Sequence, residues 1–206
     1  QTRCAVQLFL DGKIDGGVGG PHSKAAAEEA GEYFDGYPTL IAKMTGSEHP
    51  FLMLASNDDR GIRAACVSNH VSLLNAIRML TPDLICTCIS ETEKAARSFG
   101  VERPHIAVAG LNPHAGENHM FGDEDEDIIR PAVEQARAMG IYVDGPYPPD
   151  SMLHRCPTSE YDAYVFMYHD QAHLPVKIIA FKSTSAVSIG VPVNWATVDH
   201  GCAPDI

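Results

Sequence analysis

The stretch IAVAGLNPHAGE, Ile106 to Glu117, decides how this chain is read. Its first half is a short apolar run of strand type that stops at Gly110-Leu111-Asn112-Pro113. Pro113 lacks a backbone donor and Asn112 favours a turn, so the strand must end there and present His114 on a loop. Ligands of α/β proteins bind outside the carboxyl ends of strands, which puts this imidazole where active sites lie. His70, closing CVSNH, and His169, closing YVFMYH, stand at comparable points. Three imidazoles at three strand ends, with polar neighbours able to fix their tautomers, read as a site for one divalent ion, zinc or another first-row metal. His49, His105, His119 and His154 lack that placement and read as ordinary surface or core residues.

On both sides of this stretch, apolar strands alternate with amphipathic helices. The opening reads as a helix, a turn at Asp11 and Gly12, and a short strand from Ile14 to Val18; Ser23 then caps a further helix. Lys24 in its first turn is either a solvated lysine or a group reaching a ligand across the strand end. Pro38 starts a helix, FLMLAS is a buried strand, and IRAACVSNH is a strand ending at His70. In VSLLNAIRML the positions Val71, Leu74, Ile77 and Leu80 form a helical stripe, and Thr81-Pro82 starts a helix that stops at Gly100. The acidic run Asp123 to Asp127 suits the N-terminus of the next helix and is assigned to capping and solvation, because calcium-loop spacing is absent. GPYPPD is a turn delivering Asp150, and from Tyr161 a buried strand ends at His169 and Asp170, with Lys177 beyond Pro175. The spacing His169 to His173 imitates a zinc-protease helix, but Asp170 is shorter than the glutamate base, and Pro175 and the strand-like YVFMY oppose a helix there. The pattern predicts an α/β fold with a mostly parallel sheet and ligands at strand ends.

The 206 residues, 45% of them hydrophobic, are enough for a large packed core. With 15 basic and 27 acidic residues the net charge is −12, which argues against nucleic acid or an anionic membrane as partner and leaves small molecules or proteins. No run approaches the roughly 20 apolar residues of a membrane span and no signal-peptide layout opens the chain, so a cytoplasmic protein is expected. The six cysteines follow neither zinc-finger nor redox spacing and read as buried reduced thiols.

The closing loop, His200-Gly-Cys-Ala-Pro-Asp-Ile206, resembles the His-Gly-Ser-Ala-Pro-Asp-Ile loop of the isocitrate and isopropylmalate dehydrogenases. With GLNPHAGE, YHDQ, LPVK and VDHG in order, the whole chain is similar to the 4-hydroxythreonine-4-phosphate dehydrogenase family, a metal-dependent branch of that superfamily. The resemblance implies a three-layer α/β/α fold with a mixed, mostly parallel sheet in two lobes. Residues 1–33 and 172–206 would belong to the first, cofactor-side lobe, and 34–171 to a second lobe with the metal and the dimer interface. It implies NAD held by Asn112, His200, Gly201, Ala203 and Asp205, the aspartate repelling a 2′-phosphate. It also implies one divalent metal on His70, His114 and His169 at a homodimer interface, His169 coming from the second subunit. The family's opening Gly-Asp-Pro motif and its tail are not in these residues, so the chain reads as the middle of a longer one.

Departures from the family pattern bear on substrate. Gly36-Tyr37-Pro38-Thr39 replaces Gly-His-Thr-Glu, and Ala186 and Trp195 stand where phosphate-using members place an asparagine and an arginine. Lys177 remains, but a phosphate would lose two partners, one of them bidentate. Gly-Tyr-Pro is similar to the branch that oxidises cis-dihydrodiol carboxylates, with terephthalate dihydrodiol dehydrogenase as its example. The expected substrate contacts are therefore Lys24, Tyr37, Pro38, Lys177, Ala186 and Trp195, with Lys177, Asp150 and Asp170 as catalytic candidates whose orienting and proton-moving roles stay open. The alternatives are a dehydrogenase of phosphorylated hydroxy acids and an inactive binding protein that keeps the fold.

Overall fold

The computed structural model describes residues 1–20, 27, 29, 31, 35–59, 61–154 and 160–198. Eight strands form one sheet: β1 (Gly17–Gly19), β2 (Phe51–Ser56), β3 (Arg63–Cys66), β4 (Ile106–Ala109), β5 (Val143–Tyr147), β6 (Ala163–Phe166), β7 (Thr184–Ile189) and β8 (Trp195–Val198). Their spatial order is β1-β8-β7-β2-β3-β6-β4-β5. The pairs β1 with β8, β3 with β6, β6 with β4, and β4 with β5 are parallel, while β2 runs antiparallel to both β3 and β7, and β7 to β8. The sheet is thus mixed with parallel pairs in the majority, as expected. It continues without a break from the terminal segments into the central one.

Strand alternation builds two cores, because successive side chains point to opposite faces. Phe51, Met53, Ile106, Val108, Ala163 and Val165 pack on one face under helix α4 (Pro82–Ser98) and helix α5 (Arg130–Ala138). Leu52, Leu54, Ala107, Ala109, Tyr164 and Phe166 pack on the other, under the short helix α6 (Pro149–Met152) and helix α7 (His169–Ala180). Helices on both faces make the three layers. A third cluster joins Val6 of α1 (Thr2–Leu10), Tyr37 and Ile41 of α2 (Tyr37–Thr45), and Trp195 of β8.

Helix α4 follows its sequence signals. Thr81 accepts a hydrogen bond from Leu84 N–H, Pro82 occupies the first turn where no donor is needed, and Gly100 takes a left-handed φ just beyond the end. Four local expectations need correction. The strand expected to end at His70 stops at Cys66. Helix α3 (Leu73–Arg78) buries Ala76, while Val71 and Leu74 of the expected stripe are exposed. Gly145 to Tyr147 of the expected turn belong to strand β5. The strand expected to run to His169 stops at Phe166, and α7 starts at His169 and continues through Pro175. Among the described cysteines, Cys66, Cys86 and Cys88 are buried thiols and Cys4 is an exposed one.

Candidate active site

Strands β3, β6 and β4 are neighbours and run parallel, so their carboxyl ends lie side by side. His70 follows β3, His169 follows β6 and His114 follows β4. The His70 and His169 rings are 5.7 Å apart, centroid to centroid, within one chain, so His169 stands beside His70 of its own copy and not, as the resemblance implied, beside that of the second subunit. His114 does not join them there: among the described residues, no metal-type cluster with ligand atoms within 4.8 Å of one another includes these imidazoles. The cluster that meets this spacing is His119, Asp123 and Asp127, all exposed, with His119 hydrogen-bonded to Asp123.

The surroundings of His169 suit a metal ligand. Its Nδ1 lies 2.7 Å from the Asp170 carboxylate, which fixes that nitrogen as the donor and leaves Nε2 free to ligate. His173, one turn along α7, stacks on it at 3.8 Å with 9° between the planes. A ligated metal lies near the plane of its imidazole, and two planes this nearly parallel do not meet at one ion. The zinc-protease reading therefore fails on geometry even though the residues do lie on a helix. Burial, then the His169 ring and Lys177, hold His173 down to about 3, so it is a neutral packing partner.

His114 stands on a loop of unusual backbone. His114, Ala115, Glu117, Asn118 and His119 all have left-handed φ, between 43° and 70°. Such residues cost of order 1–3 kcal/mol each and persist only where the surroundings over-determine them. Asp125 braces the chain just before them. It is fully buried, and its carboxylate accepts from Leu111 N–H at 2.8 Å, Asn112 N–H at 3.1 Å and the Asn112 side-chain amide at 3.0 Å. The assignment of Asp125 to capping and solvation is thereby corrected. The Asn112 amide also donates to Glu124, so the side chain expected to touch NAD is held inside its own loop.

An open cleft of about 230 Å³ lies beside His70, lined among others by Asp35, Pro38, Thr39, Glu48, Ser68 and Asn69. Of the expected substrate contacts, Pro38 lines it. Tyr37 and Trp195 instead pack against each other at 5.3 Å in the third core cluster, with the Tyr37 hydroxyl donating to Gly20 C=O. Ala186 is buried in the core under α7. Lys177 is half-buried two turns beyond His169 on α7, and exposed Asp150 begins α6, which packs against β4 and the His114 loop. Lys24 and the cofactor residues His200, Gly201, Ala203 and Asp205 lie outside the described residues.

Comparison with known proteins agrees with the motif order. The model of the pyridoxal phosphate biosynthetic protein PdxA family matches residues 2–206. The chain belongs to the PdxA family. A 4-hydroxythreonine-4-phosphate dehydrogenase of Desulforapulum autotrophicum is 43% identical over 98% of the chain and 58% of its own length. A 1,2-dihydroxy-3,5-cyclohexadiene-1,4-dicarboxylate dehydrogenase of Comamonas is 39% identical over 98% of the chain and 63% of its own. The crystal structure of 4-hydroxythreonine-4-phosphate dehydrogenase from Klebsiella pneumoniae superposes with a TM-score of 0.88 at 37% identity, covering the whole chain and 61% of that protein. The chain thus spans about three fifths of the length of such relatives. No helix of the described residues is long and apolar enough to cross a membrane.

Sequence reasoning gave no role to Gln171, whose amide links two strand ends, and misassigned Asp125. Asp125 carried a signal: it stands four residues before Ile129, on the apolar face of its turn, but five consecutive acids hid it.

Proposed function

We propose that this protein is the metal-binding part of a homodimeric, NAD-linked dehydrogenase that oxidises a secondary hydroxyl beside a carboxylate-bearing carbon. The observation that carries this reading is the convergence of His70 and His169 at adjacent strand ends, with Asp170 fixing the His169 tautomer. The donor set of neutral imidazoles suits zinc or a similar first-row ion. His70, His114 and His169 would hold it, drawn from two copies of the chain, since one copy does not bring all three together. Such an ion would supply Lewis-acid polarisation of the hydroxyl oxygen.

The chain's own groups do the rest. The hydroxyl proton would pass to a carboxylate, for which Asp170 and Asp150 are the candidates, and NAD would supply the acceptor for the hydride of the carbinol carbon. Lys177 neutralises the substrate carboxylate, and residues 200–205 would hold the adenosine end of NAD, Asp205 favouring it over NADP. The exposed apolar side chains Leu174 and Ile178 of α7 and Phe181 just beyond it, with Leu73 and Leu74 of α3, give a second copy a surface beside the histidines.

A non-phosphorylated cis-dihydrodiol carboxylate is the proposed substrate. Ala186 and Trp195 provide no phosphate partner, and the described lining of the cleft holds Asp35 and Glu48 but neither lysine nor arginine. With Tyr37 and Trp195 packed in the core, a flat ring would lie against Pro38 and the cleft wall rather than between those aromatics. The test is an NADH-coupled assay of the metal-loaded protein with a ring cis-diol carboxylate and with 4-hydroxythreonine phosphate. Turnover of the diol with at least tenfold higher kcat/KM is expected. Equal or better turnover of the phosphate ester would overturn the substrate assignment.

A further inference from the structure

Gln171 makes two hydrogen bonds that reach different strand ends. Its Oε1 accepts from Met167 N–H at 2.8 Å, just beyond β6, and its Nε2 donates to Gly110 C=O at 2.8 Å, just beyond β4. The Met167 carbonyl in turn accepts from Ser68, through Oγ at 2.9 Å and N–H at 3.3 Å, on the segment between β3 and His70. One run of hydrogen bonds therefore crosses the ends of β3, β6 and β4, and each of those ends leads into one of the three histidines. Gln171 is its central side chain and lies on α7 two residues after His169. On the far side Asp125 grips the next two amides, Leu111 and Asn112, so that the peptide groups leading into His114 are held from both directions.

The fold does not need this amide for burial, since α7 is anchored on the sheet by Ala172, Val176 and Ala180. What the amide adds is register. Both its ends are fixed, so a shift of the His114 loop relative to the His169 helix breaks a bond.

We propose that Gln171 is the positioning residue that sets the His114 loop against the His169 helix within each chain, and so fixes where each copy presents its imidazoles to the divalent cations shared between two copies. The proposal rests on the three-histidine reading above. Outer partners that orient metal ligands change affinity by about 10- to 100-fold when removed.

The test uses two variants of the purified protein. Gln171→Met keeps the length and removes both bonds, whereas Gln171→Glu keeps the acceptor for Met167 N–H and loses the donor to Gly110. Zinc affinity is measured by chelator competition, and amide hydrogen exchange is followed on the metal-free protein. Both variants should bind zinc at least tenfold more weakly. Exchange at Leu111 to Glu117 should quicken at least tenfold while that in α4 stays as in the parent. Unchanged zinc affinity and unchanged loop exchange in a folded variant would overturn the proposal. Exchange that quickens equally in α4, or failure of both variants to fold, would also overturn it, because Gln171 would then be a general structural brace. A parent protein that takes up no zinc refutes the three-histidine reading instead, and the exchange contrast then still decides whether Gln171 sets the loop.

Discussion

Asp170 acts on His169 through a single contact of 2.7 Å, and because the aspartate is exposed its removal should leave the fold intact. Asp170→Ala is expected to weaken zinc binding by about 10- to 100-fold, read by chelator competition, with the thermal midpoint within a few degrees of the parent. Asp144 governs stability instead. Desolvation pushes its carboxyl up, but hydrogen bonds from His105 at 2.8 Å and Arg137 at 2.8 Å outweigh this and hold it below the usual carboxylate range. A folded pKa below the unfolded one stabilises the protein above the unfolded value and loses that contribution as pH falls through the folded one. Asp144→Asn should therefore cost no more than about 1 kcal/mol at pH 7, as the group is partly exposed, with the difference shrinking below about pH 4. Urea unfolding of both proteins at pH 7 and pH 3.5 checks it.

The loop from Asn112 to His119 and the π-helical turn Asp125–Ile129 form one working element. Asp125→Ala would leave the buried amides of Leu111 and Asn112 without acceptors, at about 1–3 kcal/mol each. Denaturant unfolding should show a loss of at least about 2 kcal/mol, and a loss under about 0.5 kcal/mol would show that water or backbone replaces the carboxylate. How far such elements were legible depended on whether the signal was local. The FLMLAS strand and helix α4 were readable because burial, Thr81, Pro82 and Gly100 all point the same way. The left-handed run was not, since Ala115 and Glu117 have no intrinsic preference for it. Helix α7 was misjudged because Pro175 signals a break, yet Ala172, Val176 and Ala180 of the same helix pack on the sheet and hold it together. Of the expected stripe around α3, Val71 and Leu74 face outward while Leu80 is buried, a division that a sequence pattern does not show.

At the scale of the molecule, the order β3-β6-β4 explains why histidines at 70, 169 and 114 share one end of the sheet. The sequence showed three strand ends; that those strands are neighbours came from long-range pairing. Tyr37 and Trp195 show the opposite limit, since their positions suggested a ring site and the fold packs them on each other. The outward stripe of α7 should be an interface between copies. Ile178, 83% exposed, is the position to alter, and Ile178→Asp is expected to convert dimer to monomer in sedimentation and to lower zinc affinity at least tenfold. Its helix content should not change. The central claim is that one divalent ion is held by three imidazoles gathered from two copies, and anomalous scattering from zinc-loaded crystals tests it most directly. The account predicts one strong peak per chain with His70, His114 and His169 nitrogens about 2.1 Å away, two from one copy and one from the other. A peak seated instead on His119, Asp123 and Asp127, or none at the strand ends, would contradict it.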